Sequence, residues 1–167
     1  MRQLTLIRHA KSSWNDPALN DFDRPLNARG LKDLPGLAQR IVAFNLRPDL
    51  ILCSGAKRTR ETARGITETL GLPFSNVLLI PELYEGCYET LLNTLQNQPD
   101  TYPHIMLIGH NPGLTDLGHF LTQEPVARFP TAAIMHIHLS ITRWSELAES
   151  CGTQTRFDYP SLHKSTT

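Results

Sequence analysis

The chain has 167 residues, 40% of them hydrophobic, with 16 Lys plus Arg against 16 Asp plus Glu and a formal net charge of zero. That length carries one domain around a single core, expected over residues 1–160 with residues 161–167 as a C-terminal tail. The balanced charge excludes a nucleic-acid binder working by bulk positive charge, and no apolar stretch reaches the length of a membrane span.

Residues 4–7 form the first short apolar run, too short for a secretory core, and polar Arg8 and His9 follow it. Leu31, Leu34, Leu37, Ala38, Ile41 and Val42 then recur at helical spacing, with Asn27 as the N-cap. Pro35-Gly36 interrupts that stripe. A mid-helix proline costs about 3 kcal/mol, which predicts a kink or a late helix start. Residues 50–53 make a second run, and a helix is expected from Lys57 to Leu70, closing at Gly71. Residues 77–80 and 105–108 are further apolar runs, each expected to be a strand buried on both faces. Helices are expected at residues 89–96 and from Pro112-Gly113 to about Leu121. In residues 134–142, Met135, Ile137, Leu139 and Ile141 alternate with His136, His138, Ser140 and Thr142, which predicts a strand with one less-buried face. Strand and helix alternate throughout. The predicted class is therefore α/β, a single three-layer α/β/α domain with a mostly parallel central sheet.

In open α/β sheets ligands bind at the carboxyl ends of the strands. Three of the expected strands end in polar segments: Arg8-His9, Ser54-Gly55-Ala56-Lys57-Arg58-Thr59 and Gly109-His110-Asn111-Pro112-Gly113. Alone, each His or Arg reads as a satisfied or solvated residue. Together they would bring two histidines and two arginines to one rim. Arginine forks match phosphate oxygens, and a neutral imidazole can attack phosphorus to form a covalent phosphohistidine. Flanking arginines disfavour imidazolium and so keep His9 nucleophilic.

The segment Arg8-His9-Ala10-Lys11-Ser12-Ser13-Trp14-Asn15 resembles the RHG signature of the histidine phosphatase superfamily, which includes the phosphoglycerate mutases. Ser54 to Thr59 with Thr62 is similar to its second phosphate-binding segment, and Gly109 to Gly113 to its second-histidine segment. With Ala10 after the histidine and Asp23-Arg24-Pro25-Leu26-Asn27 before Arg29-Gly30, the chain resembles SixA-like phosphohistidine phosphatases most. The resemblance implies a phosphoglycerate mutase-like fold, His9 as the nucleophile, and Arg8, Arg58 and His110 around the phosphoryl group. It places Ser12 and Asn15 at substrate-binding positions, although Ser12 equally suits a loop-capping hydroxyl. Leu83-Tyr84-Glu85 is similar to the segment carrying the superfamily's proton donor, which implies a catalytic Glu85. Glu82 and Glu89 lie close enough in sequence to compete for the role, and a surface carboxylate is the plain reading of all three.

Other residues suggest less. His136 and His138 share a strand face, but no nearby carboxylate or cysteine completes a metal set, so both are expected to be half-exposed strand residues. His104 and His163 fall in polar, turn-like segments. Gly109 to Gly113 lacks the Gly-Lys-Ser/Thr ending of a nucleotide-binding loop. Cys53, Cys87 and Cys151 make neither a disulfide framework nor a zinc site, which points to a cytoplasmic protein, with Cys53 buried. Connections too short for a substantial lid favour a phosphorylated protein as partner. The expected function is thus a phosphatase acting on phosphohistidine or other phosphorylated side chains through a covalent intermediate on His9, needing neither metal nor cofactor. A small-molecule phosphoester phosphatase or mutase is the alternative within the family, and a non-catalytic phosphate- or phosphoprotein-binding module the alternative outside it.

Overall fold

A computed structural model describes residues 1–164. Its strands are β1 (Arg2–Arg8), β2 (Leu50–Cys53), β3 (Val77–Leu79), β4 (His104–Gly109), β5 (Ile134–Leu139) and β6 (Gly152–Asp158). The helices are α1 (Ala28–Ala43), α2 (Lys57–Leu70), α3 (Tyr88–Gln96) and α4 (Gly113–Thr122). The strands form one sheet in the order β3-β2-β4-β1-β5-β6. The first four strands run parallel, and β5 and β6 are antiparallel to their neighbours. No described helix is long and apolar enough to cross a membrane.

The central position of β1 explains why Leu4, Leu6 and Ile7 are all fully buried. Leu4 and Leu6 pack with Leu91, Leu95, Leu114 and Leu117 of α3 and α4, whereas Ile7 packs with Leu37, Ile41, Ala63 and Ile66 of α1 and α2. Successive side chains point to opposite faces, so a strand covered by helices on both sides is apolar except where a buried polar group finds partners, as Thr5 does. This is the three-layer α/β/α arrangement expected from the alternation of elements.

Asn27 caps α1, its side chain accepting from the Gly30 N–H at 2.9 Å. The expected late start at Pro35 is not found, because α1 begins at Ala28 and runs through the proline. Pro35 and Leu31, whose carbonyl loses its helical donor to the proline, are both exposed, so water can satisfy the freed oxygen. The buried stripe is narrower than expected: Leu31 is 55% and Val42 52% exposed. Helix α2 closes as expected, on Gly71 in the left-handed region at φ 69°.

Three further expectations need correction. Strand β3 is a three-residue edge strand with Leu78 and Leu79 exposed, since its only strand neighbour is β2. The expected strand over residues 134–142 ends at Leu139, and the chain returns as β6, whose polar residues Thr153 to Arg156 are exposed on the opposite sheet edge. His136 and His104 are buried within the sheet rather than half-exposed or in a turn. The Thr5 hydroxyl shares 2.7 Å hydrogen bonds with His104 Nε2 and His136 Nδ1, while the outer nitrogens bond the Arg47 carbonyl and Gln3. At the end of β6, buried Asp158 bonds Arg40 and His163, and residues 160–163 form a 3-10 turn. Of the expected tail, residues 165–167 lie outside the described residues.

Candidate active site

His9 lies one residue past β1, where its backbone bridges the sheet. Its N–H donates to the Gly109 carbonyl at the end of β4, and its own carbonyl accepts from Ala132 before β5. The side chain is 6% exposed, and its Nδ1–H donates to the Ala10 carbonyl at 2.7 Å. That bond sets the tautomer and leaves the Nε2 lone pair free. Burial, reinforced by His110, Arg58 and Arg8, brings the imidazole down to about 3 despite the opposing pull of the Ala10 carbonyl. His9 is therefore neutral near pH 7.

His110 leaves β4 beside it, with ring centroids 5.2 Å apart. Its Nε2 lies 2.8 Å from the Ser54 hydroxyl at the end of β2. Burial first, then the Arg58 charge, brings His110 down to about 4. Arg58 projects from the first turn of α2 and donates to the Asp21 carbonyl at 2.7 Å and to the Asp21 carboxylate at 3.0 Å. Arg8 donates through Nη1 to the Phe129 carbonyl, 3.1 Å away. Thr62 ties these parts together: its hydroxyl accepts from the Ala10 N–H and donates to the Arg58 carbonyl.

These residues surround a cavity of about 310 Å³ lined by Arg8, His9, Ser12, Arg24, Arg58 and His110 among others. Four buried side-chain nitrogens among the described residues lack a hydrogen-bond partner: Arg8 Nε, Arg58 Nε, His110 Nδ1 and the distant Arg40 Nη2. With the Ser54 hydroxyl donating to His110 Nε2, Nδ1 carries the proton; a buried unpaired donor costs about 1–3 kcal/mol, so three such donors on residues lining one cavity suit an acceptor-rich anion.

Of the other residues expected at the site, Ser12 lines the cavity and its Oγ accepts from Arg24 Nη1 at 2.7 Å. Asn15 is exposed and outside the lining. Glu85 is also exposed, at φ 58°, and outside the lining, and Glu82 and Glu89 are exposed as well. What Leu83-Tyr84-Glu85 delivers instead is Tyr84. Its ring stands edge-on to His110 at 5.7 Å, and its hydroxyl donates to Asp21 at 2.5 Å. Sequence reasoning missed Asp21 as a site residue. Its carboxylate gathers Arg24, Arg58 and Tyr84, and these bonds hold it well below the usual carboxylate range against the opposing effect of burial. Arg24, buried under the exposed Trp14 ring at 3.4 Å, was legible only as part of the Asp23-Arg24-Pro25 motif.

Residues 4–119 match the family model of the histidine phosphatase superfamily, branch 1. An uncharacterized chloroplastic protein of Arabidopsis thaliana is 38% identical over 130 residues, 72% of this chain; the match spans 59% of that relative's length. Among solved structures, SixA from Agrobacterium tumefaciens, a proposed phosphohistidine phosphatase, superimposes with a TM-score of 0.81 at 28% identity, covering 95% of this chain and 98% of that one. The protein histidine phosphatase SixA complexed with tungstate shares the fold at a TM-score of 0.82 and 24% identity, covering 97% of this chain and 99% of its own. With a family match extending from β1 into α4, the chain belongs to the histidine phosphatase superfamily.

Proposed function

We propose that this protein is a phosphatase that removes the phosphoryl group from phosphohistidine on a protein, through a covalent phosphohistidine formed on His9. The observation that carries the proposal is the set of unpartnered donors, Arg8 Nε, Arg58 Nε and His110 Nδ1, around a buried neutral imidazole whose Nε2 is free. The likeness to SixA from Agrobacterium tumefaciens supports the same reading.

In this mechanism His9 Nε2 attacks phosphorus in line as the substrate's P–N bond breaks. Arg8, Arg58 and His110 meet the charge on the equatorial oxygens, where transfer of this kind depends mainly on positioning and electrostatics. The substrate's ring leaves as neutral imidazole once its other nitrogen carries a proton. Water then attacks the phosphorus on His9, phosphate departs with the water's oxygen, and His9 returns to the neutral form. Arg8 and Arg58 supply the positive charge throughout, so no metal is required. Three free cysteines accord with a cytoplasmic setting.

The position of the carboxylates favours phosphohistidine over phosphoesters. An alkoxide leaving group needs a general acid, whereas Glu85, the expected donor, stands exposed outside the cavity. The test compares release of phosphate, in EDTA, from a histidine-phosphorylated protein and from small phosphoesters. The expected result is turnover of the phosphoprotein that disappears in His9→Ala and is at least about a hundredfold faster in kcat/KM than for alkyl phosphates, the contribution of a missing general acid. Preferential turnover of phosphoglycerates would move the assignment to the small-molecule branch, and binding without turnover to a non-catalytic module.

A further inference from the structure

A second cleft opens beside the phosphoryl cavity. It has a volume of about 440 Å³ and shares Arg8, Lys11, Asn111 and Thr131 with the His9 cavity. Its walls come from distant segments: Lys11 after β1, Arg29 in the first turn of α1, Arg128 on the α4–β5 loop and Tyr159 after β6. Four lining residues are cationic and none is acidic, in a chain whose charges otherwise balance. Among the described residues, the one carboxylate that reaches these cations is Asp33, half-buried and 3.8 Å from the Arg29 guanidinium. Such a cleft focuses positive potential on whatever lies next to the phosphoryl group.

We propose that this annex is a specificity subsite for acidic side chains flanking the phosphorylated residue of a protein substrate. The inference rests on the phosphatase reading of the His9 site and names what its substrate carries beside the phosphate. Lys11, Arg29 and Arg128 are exposed and spread along an open cleft. Exposed ion pairs are individually weak, so such a set gains by meeting several carboxylates held on one surface rather than a single small anion. The annex is also joined mechanically to the reaction centre. The Phe129 carbonyl, next to Arg128, accepts from both Arg8 Nη1 and Asn111 Nδ2, so the loop that bears the specificity cation also aims the phosphate-facing arginine.

The test uses two peptides carrying a non-hydrolysable phosphonate mimic of phosphohistidine, one flanked by glutamates and one by glutamines. Binding calorimetry is run on the wild type and on the double variant Arg29→Gln, Arg128→Gln, with aryl phosphate turnover measured in parallel. The glutamate peptide is expected to bind the wild type about tenfold more tightly, a difference of about 1.4 kcal/mol. That preference should vanish in the variant and shrink as salt is raised, while aryl phosphate turnover stays unchanged. Equal affinities in the wild type, or a preference that survives both substitutions, would overturn the subsite. A tenfold gain seen only for a small phosphonate bearing one carboxylate would overturn the protein assignment. Loss of aryl phosphate turnover in the wild type would strike the catalytic reading alone, because the peptide comparison does not depend on chemistry.

Discussion

At His9, burial and two arginines act on one ring, and the result is a base kept neutral rather than a charged pair. The ordinary imidazole value of 6.5 falls to about 3 for His9 and about 4 for His110. Proton NMR of the two imidazoles should therefore show no titration between pH 8 and pH 5, a range in which an exposed histidine changes form. A midpoint near 6.5 for His9 would mean that the ring is solvated and the proposed nucleophile half-protonated near neutrality. Four residues of this site were legible in the sequence for a physical reason. A strand buried on both faces is written as an apolar run, and the polar residue that ends the run sits on the carboxyl rim. Arg8, His9 and His110 follow that rule directly, and Arg58 follows it one loop later. Asp21 and Tyr84 do not. Each sits in a connecting segment whose path is set by tertiary packing, and the 2.5 Å bond between them joins positions 63 residues apart. Glu85 shows the converse: its neighbour carries the polar group inward while its own side chain faces solvent.

At the scale of elements, the approach of α1 to the loop after β1 decides where the residues following His9 lie. The Asn27 N–H donates to the Lys11 carbonyl at 3.0 Å, and a Cβ placed on Gly30 would overlap that same carbonyl oxygen. Only glycine permits this contact. Gly30→Ala is expected to destabilise the fold by about 2 kcal/mol or more, the scale of steric overpacking, and to reduce turnover by moving the Lys11 segment. Urea denaturation and kcat/KM on the same protein would check it; an unchanged midpoint would show that the helix end can withdraw without cost. Helix positions were well predicted where a cap or a left-handed glycine marks the boundary, as at Asn27 and Gly71. Strand β6 was missed because its pattern is polar: Thr153, Gln154, Thr155 and Arg156 are all exposed on an edge strand held by backbone pairing to β5. Pro35 misled for a related reason, since proline is tolerated where the carbonyl it orphans meets water.

For the whole molecule, four neutral histidines link stability to pH, and burial lowers His104 along with the three that follow. His9, His110 and His136 are depressed to about 3, 4 and 4, all chiefly by burial, from 6.5 in the unfolded chain. Below pH 6.5 the unfolded chain binds more protons than the folded one, so their contribution is fully present above that value and is lost as pH falls toward 4. Each lowers stability by up to about 1.4 kcal/mol per pH unit in that window. Thermal denaturation should show a Tm that falls steeply between pH 6.5 and pH 4, and a flat profile would contradict the buried-neutral assignment. The same burial that costs acid stability holds His9, the proposed nucleophile, neutral, which connects the core to the proposed chemistry. In the proposed reaction His9 becomes covalently phosphorylated. The most direct measurement is to mix the protein with radiolabelled phosphohistidine substrate, quench in alkali within the first turnovers and map the label. The expected result is label on His9 that is stable to alkali, lost in acid and absent from His9→Ala. Steady release of phosphate with no label on the protein, or label that persists in His9→Ala, would contradict it.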